Sequence, residues 1–64
     1  MSYSDEFKSA FIDAAVANGL TDNRTTSSSG TTTYKATKMI GEKMLTIQFV
    51  GQYSLGILFK VPNN

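Results

Sequence analysis

The first segment of the chain has the hydrophobic pattern of an amphipathic helix. At about 100° per residue, one stripe of apolar side chains falls on a single face. The stripe consists of Tyr3, Phe7, Ala10, Phe11 and Ala14. Ser2 or Ser4 is suited to cap the start of the helix, and Gly19 follows the last residue of the pattern. We therefore predict a helix over residues 4–18 whose stripe packs against an apolar surface.

Two aliphatic residues of this segment do not belong to the stripe. Ile12 and Val16 lie about 140° and about 180° away from Phe7, on the side that carries Asp5 and Ser9. We interpret them as surface residues or as residues buried by the following loop. A contact with a partner or with a second copy of the chain is the alternative.

Residues 21–33 are polar and interrupt the hydrophobic pattern. The tract from Thr25 to Thr33 holds only Thr, Ser and one Gly. It has no apolar area whose burial would offset the entropy lost when it is ordered. We therefore predict a flexible connector over residues 21–33.

The rest of the chain predicts three strands separated by glycines, over residues 34–40, 43–50 and 53–61. Each is rich in aromatic and β-branched side chains, and Pro62 ends the last one. Because 64 residues suffice for one small core only, residues 1–64 are predicted to form a single α+β domain. Its element order is α-β-β-β, with the helix packed on a three-stranded antiparallel meander that ends at residue 61.

The turns determine which side chains share a face of this sheet. Gly41-Glu42 fits a two-residue type II′ turn, which places Ile40 opposite Lys43. The apolar row of the third strand joins the same face only if the connection near Gly51 holds three residues or a bulge, and we predict one of these. The face predicted to lie under the helix consists of Tyr34, Ala36, Ile40, Leu45, Ile47, Phe49, Leu55, Ile57 and Phe59.

The opposite face is predicted to be open, because one helix covers only one face of a sheet. On it Met39, Met44 and Leu58 form an adaptable apolar group of the kind used at protein contacts. An ordinary solvated face of an antiparallel sheet is the alternative interpretation. The residues predicted to bind a partner are Lys35, Thr37, Met39, Met44, Thr46, Gln48, Leu58 and Lys60.

The residue types that carry most chemistry are missing from the chain. It has no cysteine and no histidine, which excludes disulfides, thiolate metal sites and the commonest general base. Its five acidic residues are scattered over a helix, a loop and a turn. We therefore expect no enzyme, no cofactor and no metal site.

The charge and the hydropathy of the chain indicate whether nucleic acid or a membrane is a suitable partner. The net charge is only +1, and the dispersed Lys35, Lys38, Lys43 and Lys60 would contact phosphates weakly and with strong salt dependence. No apolar run approaches the roughly 18 residues of a membrane span, and the N-terminus lacks the features of a secretory signal. We expect a cytoplasmic protein with no membrane partner.

These observations favour a small non-enzymatic protein-binding module, such as an inhibitor or adaptor from a phage or mobile element that acts on a host protein. Contact would be made through the open sheet face or an edge strand. The third strand carries the apolar run Gly56-Ile57-Leu58-Phe59 at the sheet edge, which predicts self-association into a homo-oligomer. The alternatives are a weak nucleic-acid-binding module and a structural homo-oligomer subunit.

Overall fold

One helix and two antiparallel sheets make up the fold. The computed structural model describes residues 3–50 and 54–62. The elements are α1 (Asp5–Ala17), β1 (Thr21–Asp22), β2 (Thr25–Thr26), β3 (Thr32–Thr33), β4 (Lys35–Ile40), β5 (Lys43–Val50) and β6 (Ser54–Lys60). Four strands form a sheet in the order β1-β4-β5-β6, and β2 pairs with β3. The α+β class is confirmed, but the three-stranded meander is wrong, because the described residues form six strands in two sheets.

Helix α1 begins and ends close to the predicted positions. The Ser4 hydroxyl accepts a hydrogen bond from the Phe7 N–H at 3.1 Å, which caps the first turn. At the other end Gly19 has a φ of +98°, and the Leu20 N–H donates to the Ala15 carbonyl. This arrangement is a Schellman motif, in which a glycine reverses the chain. The reversal leads directly into β1.

The segment predicted as a flexible connector contains three short strands. In β1, Thr21 lies opposite Thr37, which extends the sheet beyond β4. β2 and β3 form a hairpin, whose turn is closed by a 2.8 Å hydrogen bond from the Ser27 N–H to the Thr31 carbonyl. These strands are held by backbone hydrogen bonds, which need no burial of apolar area. The flexibility of the segment stays a prediction.

The register between β4 and β5 is confirmed. Ile40 lies opposite Lys43 and Ala36 opposite Ile47, as the two-residue turn requires. Gly41 has a φ of +63°, and no residue other than glycine has a positive φ in the described chain. That combination belongs to a type II′ turn.

The register between β5 and β6 is confirmed as well. Ile47 lies opposite Ile57, and Phe49 lies opposite Leu55. The apolar row of β6 therefore shares a face with the apolar row of β5. The last pair joins Val50 to Ser54, and the loop or bulge predicted near Gly51 lies outside the described residues.

The side of α1 that faces the sheet differs from the predicted stripe. Ile12 is completely buried and is the largest fully buried side chain of the described residues, whereas Phe7 is half-exposed and Val16 is exposed. The cause is β1, because α1 packs on β1 and β4. Arg24, which follows β1, also binds Asp13 of α1. Both contacts turn the Ile12 side of the helix toward the sheet.

The predicted stripe instead packs against the core from the side. The Phe49 ring lies 5.3 Å from the Tyr3 ring and 5.4 Å from the Phe11 ring, in edge-to-face geometry. Phe7 stacks between them at the surface. The buried core of the described residues consists of Ile12, Ala36 and Phe49.

Arg24 joins the segment after β1 to the helix. Its guanidinium contacts Asp22 at 2.6 Å and Asp13 at 2.9 Å, and it donates to the Ser9 hydroxyl at 3.2 Å. The hydrogen bonds from Arg24 hold the pKa of the Asp22 carboxyl below its usual value of 3.8. Arg24 therefore holds the end of β1 against the side of α1 that carries Ile12.

This cluster predicts an acid-sensitive contribution to stability. A carboxyl whose pKa is lower in the folded state stabilises the fold above its unfolded pKa, and this contribution is lost as the pH falls through the folded pKa. We expect the melting temperature of the wild-type chain to fall below about pH 4, and to fall less steeply in Arg24→Gln. Circular dichroism melts between pH 2 and pH 6 measure this difference.

Lys60→Gln removes the same charge at the opposite edge of the sheet and serves as the control. We expect this variant to keep the acid dependence of the wild type. If Arg24→Gln and Lys60→Gln show the same pH dependence, the cluster does not contribute as described.

Candidate interaction surface

Helix α1 leaves half of the sheet face on its own side uncovered. It packs mainly on β1 and β4, and of β5 only Phe49 is buried against its aromatic side chains. The rest of β5 and β6 on this face is half-buried or exposed. Two strands spaced at about 4.8 Å leave a strip roughly 10 Å wide, which is the width of one helix. We define the helix-side patch as the apolar side chains of this strip together with Ile40 at the end of β4. It consists of Ile40, Leu45, Ile47, Leu55, Ile57 and Phe59.

The patch places large apolar side chains in contact with solvent. Ile57 is 62% exposed, Phe59 51% and Ile40 47%. The sequence predicted these three residues to lie under the helix, and this prediction is wrong. The helix is displaced toward β1, which comes from the segment expected to be a connector. Only the part of the face nearest β4 and the Phe49 end of β5 is buried.

An apolar cavity of about 220 Å³ opens between α1 and β5, next to the patch. Its lining residues are Phe11, Ala14, Ala15, Asn18, Leu20 and Ile47. Ile47 belongs to both the cavity and the helix-side patch. The two features therefore form one continuous apolar surface, which is walled on one side by α1.

Basic residues outnumber acidic ones at the turn end of this surface. Lys38 and Lys43 lie on the helix side of the sheet, and the Lys43 ammonium sits 5.5 Å from the centroid of the Phe59 ring. The described strands β4, β5 and β6 carry no acidic residue, and Glu42 lies in the turn between β4 and β5. Two lysines and one acid therefore give this end a small net positive charge.

The structure brings the eight predicted partner-binding residues together on the opposite face. The cross-strand rows are Lys35 with Gln48, Thr37 with Thr46 and Leu58, and Met39 with Met44 and Lys60. Met39 is 50% exposed and Leu58 is 46% exposed, whereas Met44 is partly buried. The predicted open face exists, and its role in binding stays a prediction.

A larger and more polar cleft of about 530 Å³ lies between the start of α1 and the β2–β3 hairpin. Its cation is Lys8, whose ammonium lies 3.5 Å from the Asp5 carboxylate and 5.2 Å from the centroid of the Tyr34 ring. The Lys8 side chain is only 12% exposed. Ion pairing and the aromatic ring thus account for the charged groups of this cleft.

Among residues 3–50 and 54–62, no group of three or more histidine, cysteine or acidic side chains could hold a metal ion. Asp22, the acid at the end of β1, is engaged by Arg24. In the same part of the chain, no helix is long and apolar enough to cross a membrane.

Comparison with known proteins gives no match, neither to a family model nor to a curated protein or solved structure. The surfaces described above are therefore the basis on which a function is proposed.

Proposed function

We propose that this chain is a non-enzymatic protein-binding module that binds an amphipathic helix of a partner protein on the helix-side patch. The half-covered sheet supports this proposal. Two-layer domains cover an apolar sheet face with helices packed about 8–10 Å apart. A four-stranded sheet has room for two helices, and α1 occupies only the place over β1 and β4.

The patch and its surroundings indicate which apolar and charged residues a bound helix would need. A helix laid along β5 and β6 would contact the sheet with apolar residues at positions i, i+3, i+4 and i+7. The cavity at Ile47 has room for an apolar side chain from the edge of that helix. Lys38 and Lys43 favour acidic residues at the end of the helix that reaches the β4–β5 turn.

Binding of this kind would let a single small domain act as an inhibitor or an adaptor. Such a module works by occupying a surface of its partner and needs no reacting group of its own. The absence of histidine and cysteine from the sequence is in keeping with this role. The helix-side patch is favoured over the open face because Ile57 and Phe59 adjoin each other and the half-buried Leu45 and Ile47, whereas Met39 and Leu58 alternate with threonine, glutamine and lysine.

Two neighbouring residues of β4 allow the proposal to be tested. Ile40 and Met39 point to opposite faces and are exposed to nearly the same extent, 47% and 50%. Ile40→Lys should weaken partner binding by about 30-fold or more, because a bound helix would bury an unpaired ammonium. Met39→Lys should leave binding within about threefold, since it adds a charge to a face that the partner does not cover.

The measurement uses tagged wild-type chain and both variants with nuclease-treated lysate of the source cells. A captured protein is identified, purified and titrated against each variant, and cross-linking maps the contact to a helix of the partner. Circular dichroism confirms that both variants are folded. Loss of binding with Met39→Lys alone would assign the contact to the open face, and loss of the captured material on nuclease treatment would favour nucleic acid. Either result contradicts the proposal.

A further inference from the structure

The two edges of the four-stranded sheet differ in character. At one edge β1 has two residues, and Asn23 directly after it accepts a hydrogen bond from the Thr37 hydroxyl at 2.6 Å. At the other edge β6 has seven residues, contains no proline and carries its only charge at its last residue, Lys60. Edge strands are usually protected by short length, charge or proline. Among the described strands, β6 is the edge that lacks this protection.

The hydrogen-bonding pattern of β4, β5 and β6 shows which backbone groups of β6 point away from β5. The Phe49 N–H donates to the Tyr34 carbonyl at 3.1 Å, so the backbone of Phe49 points toward β4. Backbone groups alternate in direction along an antiparallel strand. Gln48 therefore bonds toward β6, where it lies opposite Gly56. The residues on either side of Gly56 face outward, and the outward set is Leu55, Ile57 and Phe59.

This outward set is self-complementary. With a two-fold axis at Ile57, the strand pairs in antiparallel orientation with a second copy of itself. Ile57 then lies opposite Ile57 of the second copy, and Leu55 lies opposite its Phe59. Counting both copies, there are three such pairs, and in each pair both residues direct their backbone N–H and C=O groups toward each other. The alignment therefore forms about six hydrogen bonds and leaves none of the outward groups unpaired.

The side chains are compatible with the same alignment. On the open face, Leu58 lies opposite Gly56 of the second copy, which has no side chain to obstruct it. Lys60 lies opposite Ser54, so no two lysines face each other directly. On the helix side, Ile57 and its copy form an aliphatic cross-strand pair.

The surface of the single chain leaves enough area for such a contact. The chain exposes 4653 Å², whereas a compact monomer of 7.0 kDa exposes roughly 4,000 Å². Its radius of gyration of 12.2 Å also exceeds the roughly 11 Å expected for 64 residues. The excess of about 600 Å² per chain means that the single chain buries less of its surface than an average monomer of its size.

We infer that two copies of this chain associate through the outer edge of β6 into a continuous eight-stranded antiparallel sheet. Both α1 helices then lie on the same face, and the two helix-side patches adjoin each other between them. The contact is made by the backbone edge of the strand. It therefore goes beyond the proposed function, which concerns the side chains of the face, and is independent of it.

The alignment is tested by charge pairing at the two-fold axis. Sedimentation velocity and native mass spectrometry of the purified chain should show a dimer at about 100 µM, a concentration well above the dissociation constants of weak homodimers. Ile57→Lys alone and Ile57→Glu alone should each raise the dissociation constant of the dimer at least about tenfold, since like charges then face each other. An equal mixture of the two variants should restore the dimer as a mixed species. Met39→Lys, away from β6, is the control and should dimerise as the wild type does.

Amide hydrogen exchange provides a measurement that needs no substitution. The N–H groups of Leu55, Ile57 and Phe59 should exchange more slowly at about 1 mM than at about 10 µM chain, whereas those of Gly56 and Leu58, which bond to β5, should not depend on concentration. A monomer at 100 µM, or a mixture of the charge variants that stays monomeric, would overturn the inference. Because these experiments contain no partner protein, they can fail while partner capture succeeds, and the reverse.

Discussion

Replacing Ile12 by alanine should remove about half of the free energy of unfolding of this chain. Ile12 is the largest fully buried side chain of the described residues and fills the contact of α1 with β1 and β4. Truncating a buried isoleucine to alanine costs about 2–5 kcal/mol, and a domain of this size is stable by only about 3–10 kcal/mol. Urea denaturation followed by circular dichroism measures the loss.

Val16→Ala is the matched control for this substitution. Val16 lies one turn further along the same helix and is exposed, so its truncation should cost less than about 1 kcal/mol. Both residues lie on the same side of α1, so equal losses would contradict the burial of Ile12 and the exposure of Val16. A large loss with Val16→Ala alone would shift the buried contact of α1 by one turn toward its C-terminal end.

Replacing Phe49 by alanine should have an effect of similar size. The Phe49 ring is nearly buried and contacts the rings of Tyr3, Phe7 and Phe11. Loss of a buried phenylalanine costs about 3–5 kcal/mol, and the edge-to-face pairs are lost with it. The urea midpoint and the near-ultraviolet circular dichroism of the tyrosines should both decrease.

Phe59→Ala is the control for Phe49→Ala, because it also removes a phenylalanine from the sheet but does so at a half-exposed position. Phe59 is half-exposed, and its described ring contact is the Lys43 ammonium. Measured at low micromolar concentration, where self-association is small, this variant should lose about 1 kcal/mol or less. Equal losses in Phe49→Ala and Phe59→Ala would mean that the helix-side patch is covered in solution.

The strands and their register were predictable because several local signals agree. The type II′ turn at Gly41 and the alternation of apolar residues in β5 demand the same alignment, and the apolar row of β6 then requires a three-residue loop or a bulge near Gly51. The open face follows directly from this register. The helix was predictable for the same reason, since Ser4 and Gly19 mark both of its ends.

The side of the helix that packs on the sheet was not predictable in this way. Helical periodicity places Phe7 and Phe11 on one stripe but does not say what that stripe contacts. The answer depends on β1, whose residues Thr21 and Asp22 are held by backbone pairing and give no hydrophobic signal. Without β1 the helix would be centred over the meander, and the helix-side patch would be expected to be buried. The sequence gives no hydrophobic signal for β1, so neither this fourth strand of the sheet nor the exposure of the helix-side patch was predicted.

The short edge at β1 limits how far sheets of this protein can grow. Among the described residues, each copy has one long unpaired strand edge, at β6, while the far edge is only two residues long and is followed by Asn23 and Arg24, which bond back to Thr37 and α1. In the proposed dimer, pairing across a two-fold axis would occupy the long edges and leave only the two short β1 edges at the ends of the sheet, which disfavours growth into a fibril.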